Sequence, residues 1–90
     1  MFIVVAYDIT DDHRRTRLFK RLKGFGTPVQ YSVFECLIDD QQPKAMQTMM
    51  RKTIDTKQDG VRYYRLCESC QAKIITINGP VTTIEQTIVV

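Results

Sequence analysis

Long apolar runs are missing from this 90-residue chain; none approaches the roughly 18 residues of a membrane span, so no membrane association is expected. The opening "MFIVVAYD" has neither a basic flank nor a small-residue cleavage site, so it does not read as a secretory signal. Cysteine is scarce. Three residues without such a signal point to a reducing cytoplasm rather than a disulfide framework. There is no glycine-rich phosphate loop, no Ser-His-Asp set and no HExxH pattern, so those chemistries lack their residues. The aromatic-rich K/R-G-F/Y-G/A-F stretch of RNA-recognition modules is absent too. With no repeats, low-complexity tracts or linkers, residues 1–90 read as a single domain.

Acids are also missing where the base charge is densest. Arg14, Arg15, Arg17, Lys20, Arg21 and Lys23 follow one another with no carboxylate between them. Lys44, Arg51, Lys52, Lys57, Arg62 and Arg65 come next, against Asp55 and Asp59 alone. The net charge is only +3, so the placement matters more than the total. Such clusters fit a polyanionic partner, or simply a solvated helix face. A chain this short buries only roughly 60–65% of its unfolded surface, so a dimer that covers a further apolar face would add stability.

What is present is a series of short elements. Phe2 to Asp8 is apolar on both faces until it ends on Tyr7 and Asp8, the pattern of a central strand. Thr10 or Asp11 can cap a helix that runs to about Lys23 and stops at Gly24. Its inner side is Leu18, Phe19 and Leu22, and Arg14, Arg17 and Arg21 line a second side. Arg15 falls near the strand end that carries Asp8. "PVQYSVFECLI", 28 to 38, is β-prone without a polar face or a turn signal. It is either one long strand or two that bend around Ser32. A second helix, with Ala45, Met46, Met49 and Met50 on its apolar side, ends near Thr53. "VRYYRL" predicts a strand, "CESC" a tight connection, "KIITI" another strand and "TIVV" a short last one. The fold class is α+β: an antiparallel sheet with two helices on one face. The opposite face stays apolar and is most simply covered by a second copy.

Asp8 is the first candidate site. A carboxylate at the end of a central strand suits a metal ligand or catalytic acid, and equally a hydrogen-bonded strand end. One carboxylate makes a poor Mg²⁺ site, and Asp11 and Asp12 read as solvated acids of the first helical turn. A two-fold dimer would bring a second Asp8. Two bare carboxylates about 4 Å apart repel by roughly 4 kcal/mol at an effective dielectric of 20, a cost that a divalent cation between them removes. Cys67 and Cys70 form a lone Cys-x-x-Cys, readable as half of a zinc site shared by two chains or as a tight turn with small buried thiols. His13 reads as a surface residue. Phe34 and the Tyr63–Tyr64 pair are placed to stack bases or to fill core.

The stretch "VVAYDIT", the arginines behind it, "VQYSVFEC" and "VRYYRLCESC" together resemble the small CRISPR-associated adaptation nucleases, the family usually called Cas-two. The resemblance covers nearly the whole chain. It implies a ferredoxin-like protomer and a symmetric homodimer through the sheets, with the C-terminal strand reaching onto the partner. It implies that Asp8 of each protomer faces Mg²⁺ or Mn²⁺, and that the protein is a metal-dependent phosphodiesterase on single-stranded RNA or double-stranded DNA. A place as scaffold between CRISPR integrase subunits, in a prokaryotic cytoplasm, follows as well. Tyr7 and Asp8 match the family's strand-end motif. Arg15 and Arg17 match its helix arginines, beside which Arg14 and Arg21 extend the basic stripe. Ser32 and Phe34 match positions near the metal cleft. Pro28 or Val29 stands where some members have a further basic residue. The alternative function is a non-catalytic duplex-DNA-binding scaffold for the integrase.

Overall fold

Seven consecutive residues of "FIVVAYD" form the central strand β1, Phe2–Asp8, of a four-stranded sheet. The structure, a computed structural model, describes residues 1–80. Helix α1, Asp12–Leu22, follows at once. Asp11 is its N-cap: the carboxylate accepts the Arg14 backbone N–H at 2.8 Å, which fills one of the orphan donors of the first turn. Leu18 and Leu22, one turn apart, turn inward. The chain then leaves α1 through Gly26. A side chain there would start 2.4 Å from the Glu35 carbonyl and 2.5 Å from Cys36 Sγ, so only glycine fits.

Residues 28–38 resolve as two strands. β2, Thr27–Gln30, and β3, Val33–Leu37, form a hairpin with Tyr31 and Ser32 at its turn. Ser32 takes the left-handed φ of 59° that such a turn demands. Glycine or asparagine usually occupies that place, which is why the sequence carries no turn signal. Pro28 sits on the edge strand β2, where its missing N–H costs least. Helix α2, Gln42–Thr53, buries Met46, Met50 and Thr53, while Ala45, expected on its apolar side, is exposed. β4, Gly60–Leu66, pairs with β1 along its whole length. All neighbours are antiparallel in the order β2-β3-β1-β4, the ferredoxin-like arrangement.

Two expectations fail after β4. "CESC" is not a bare connection but begins a helical turn, α3, Glu68–Gln71. "KIITI" is not a strand: residues 74–77 form no ladder, and Ile75 and Ile77 are 82% and 85% exposed. β-branched residues favour strands only where a neighbour offers a pairing edge and cover. The predicted strand "TIVV" lies outside the described residues.

The core lies between the sheet and helices α1 and α2. Ile3, Val5 and Phe34 are fully enclosed there with Leu18, Leu22 and Met46. Each such side chain contributes about 1.5–3 kcal/mol by leaving water. The alternate residues of the same strands face away from the helices. Across that open face Val4 lies between Glu35 and Tyr64, and Ala6 between Val33 and Arg62. Val4, Ala6, Val33 and Glu35 are only half-buried, and Tyr64 is 50% exposed.

Candidate functional site at the end of the central strand

Asp8 is the last residue of β1 and is exposed. Strand alternation puts it on the open face with Val4 and Ala6. Its partner across the ladder is Gly60, where an added Cβ would meet nothing within 4 Å. The carboxylate therefore stands beside free space. Among the described residues no three His, Cys, Asp or Glu side chains gather to hold a metal, so one chain offers Asp8 alone.

Tyr7 points the other way, into the covered side, and is 7% exposed. Burial raises its hydroxyl above the usual tyrosine range, partly offset by a hydrogen bond with the Ser32 side chain and by the charge of Arg15. It is thus a neutral hydroxyl at working pH. The Tyr7 N–H donates to the Ser32 carbonyl at 3.0 Å, so the hairpin turn is fastened to the strand end.

The arginines of α1 divide by what they touch. Arg15 Nη1 donates to the Ile9 carbonyl at 2.9 Å, and its Nη2 pairs with Asp12. Its guanidinium is thereby held one residue beyond Asp8. Arg17 is exposed and has no ion-pair partner among the described residues. Arg14 is committed inward instead: Nε and Nη2 donate to the Asp59 carboxylate at 2.8 and 3.2 Å. That contact holds the Asp59 carboxyl below the usual carboxylate range, helped by the Asp55 N–H that donates to it. Arg21 donates to the Thr53 hydroxyl at 2.7 Å and ties α1 to α2. Arg14 and Arg21 thus also cross-link α1 to Asp59 and Thr53, with Arg21 still exposed, whereas Arg17 has no ion-pair partner among the described residues.

Phe34, expected either to stack a base or to fill core, fills core. It is fully enclosed, with its ring 5.3 Å from that of Phe19 and 6.4 Å from that of Tyr7. No ring face remains for a base, and Phe34 instead backs the two aromatic side chains nearer the surface. Ser32 is half-buried against Tyr7, and His13 is exposed as expected. Cys67 and Cys70 are free and exposed rather than buried, and hydrogen bonding to Ser69 and Cys70 lowers the Cys67 thiol to about 7. The sequence reading missed Gly60, Asp59 and Tyr31. Only the "YS" turn could have pointed to Tyr31, and it did so without a glycine.

The chain that carries this strand-end acid is similar to known proteins over most of its length. The family model of CRISPR associated protein Cas2 matches residues 1–74. The CRISPR-associated endoribonuclease Cas2 3 of Chloroflexus aurantiacus is 42% identical over 87 residues, 97% of this chain and 94% of that protein. The CRISPR-associated endonuclease Cas2 2 of Thermus thermophilus is 45% identical over 60 residues, 67% of each. Among solved structures, Streptococcus pyogenes Cas2 superposes with a TM-score of 0.76 at 28% identity, covering 87% of this chain and all of that one. A hypothetical protein from Thermus thermophilus superposes at 0.79 with 36% identity, over 89% and 94% of the two chains. The strand-end aspartate, the hairpin and the arginine helix of this chain thus belong to a protein of the CRISPR-associated Cas2 family.

Proposed function

We propose that two copies of this chain pair through the open face of the sheet and hydrolyse nucleic-acid phosphodiester bonds at a site that Asp8 of each copy shares. The carrying observation is the placement of Asp8: exposed, on the face that lacks a cover, with free space at Gly60. The half-buried Val4, Ala6 and Val33 favour a covering copy, and so do the exposed Ile75 and Ile77 that follow β4. Relatives named as endoribonucleases and an endonuclease support cleavage of a nucleic acid.

The residues present fit Mg²⁺ or Mn²⁺. Such hard ions take oxygen ligands, and Mg²⁺ in particular is held by one or two carboxylates with waters and substrate phosphates. Asp8 of each copy would hold it. Bound there, the cation supplies a more acidic water and a counter-charge for the phosphate. Arg15, fixed by the Ile9 carbonyl, orients a phosphate at the strand end, and Arg17 adds a free cation for the backbone. The same surfaces serve the scaffold role between CRISPR integrase subunits.

Cleavage of single-stranded RNA and of duplex DNA, measured with Mg²⁺, Mn²⁺ or EDTA, tests this. Asp8→Asn keeps shape and removes charge, so the rate should fall a hundredfold or more, about 3 kcal/mol of transition-state stabilisation. Dimerisation should survive. Wild-type rates in the variant would make Asp8 a structural strand end. A wild type that is inert with every metal would leave the non-catalytic, duplex-DNA-binding scaffold.

A further inference from the structure

We infer that the cleft between α1 and the β2–β3 turn is a pocket for one unpaired nucleobase of a single-stranded nucleic acid. This deepens the reading above, on which it rests for the chemistry next door but not for its own binding. The cleft encloses about 350 Å³, within the roughly 300–1,000 Å³ of small-ligand sites. Tyr7 and Phe19 line it with aromatic surface, and Arg15 closes one side. Gln30, Tyr31 and Ser32 complete it from the hairpin.

Tyr31 is the odd feature. It is 95% exposed, so its ring buries against almost nothing among the described residues. The left-handed Ser32 and the Tyr7–Ser32 backbone bond hold the turn that presents it. A flat aromatic side chain carried on a rigid turn, beside a cleft with apolar walls, is what a base needs for stacking. The Gln30 amide both donates and accepts, which suits the edge of a base. Arg15 provides for the attached phosphate. The aromatic walls argue against a free phosphate ion as occupant. Bases of an intact duplex stay stacked and cannot enter, so the occupant is a single strand, a frayed end or a flipped nucleotide.

Position adds the link to cleavage. Tyr7 is in the pocket, and Asp8 is the next residue on the opposite face of β1.

The test is a single-stranded oligonucleotide carrying one 2-aminopurine, titrated in EDTA so that binding is read without cleavage. The wild type should quench the fluorescent base. Tyr31→Ala should abolish the quench and weaken single-strand binding between about fivefold and a hundredfold, the range of one base–aromatic stack. Tyr31→Phe should restore both. Affinity for a duplex of the same sequence should stay within about twofold, since duplex binding is carried by phosphate contacts. The pocket is overturned if the wild type gives no quench, if Tyr31→Ala binds the single strand as the wild type does, or if it loses the duplex equally. Asp8→Asn should bind and quench normally, so a failed cleavage reading and a failed pocket give different results.

Discussion

On the helix side of β1, Ile3 and Val5 are wholly enclosed, whereas Val4 and Ala6, their neighbours in the chain, keep part of their surface in water. The contrast extends across the ladder. Phe34 and Cys36 on β3 are enclosed, while Val33 and Glu35 are half-exposed. One side of the sheet is therefore finished within the chain and carries its stability. The other, among the described residues, stays partly in water and ends on Asp8. Tyr7 and Asp8, adjacent in sequence, fall on different sides of that division.

The strongest way to break the comparison is to truncate each side. Phe34→Ala should cost about 3–5 kcal/mol in urea unfolding, because the space beneath Tyr7 and Phe19 cannot collapse. Val4→Lys should leave the protomer folded, since Glu35 lies directly opposite and an opposite-charge pair is tolerated there. It should instead abolish dimerisation at micromolar concentration, because a covered ammonium loses its hydration. Sedimentation distinguishes the two, and a Val4→Lys protein that remains dimeric would place the interface elsewhere.

A smaller effect sharpens the contrast in pH. The folded Asp59 carboxyl titrates below its unfolded value near 3.9, so the Arg14 contact adds stability above that value. The contribution is lost as pH falls from about 4 through the lower folded value. Asp59→Asn should lower the melting temperature at pH 6, and the gap to wild type should close as the pH drops below 4. A gap of constant size would mean that the carboxylate charge is not what stabilises. The smallest effect is a slope. Arg17→Ala should flatten the dependence of log duplex affinity on log salt by about 0.9, one phosphate's worth, whereas Arg14→Ala should leave it unchanged.

The sequence made the elements legible because periodicity and caps are local. β1, both long helices and β4 follow from apolar spacing, and Asp11 is one of the two caps that the sequence offers. What it hid was non-local. Spacing put Arg14 and Arg17 on one helix side, but the Asp59 that captures Arg14 lies 45 residues away. Phe34 was ambiguous because β3 is apolar on both faces, so alternation could not say which face meets the helices. The hairpin was hidden by a serine in a left-handed position, and "KIITI" misled because propensity was read without a partner edge.

The 3.0 Å bond from the Tyr7 N–H to the Ser32 carbonyl also has a mechanical meaning. It lies just past the last β1–β3 residue pair, Ala6 with Val33, and so works as the final rivet of the ladder. The turn that carries Tyr31 and the strand that carries Asp8 are joined directly by it. On the proposed pocket, a pull on a strand seated at Tyr31 would reach Asp8 through that bond, so tension along the nucleic acid would be felt at the carboxylate.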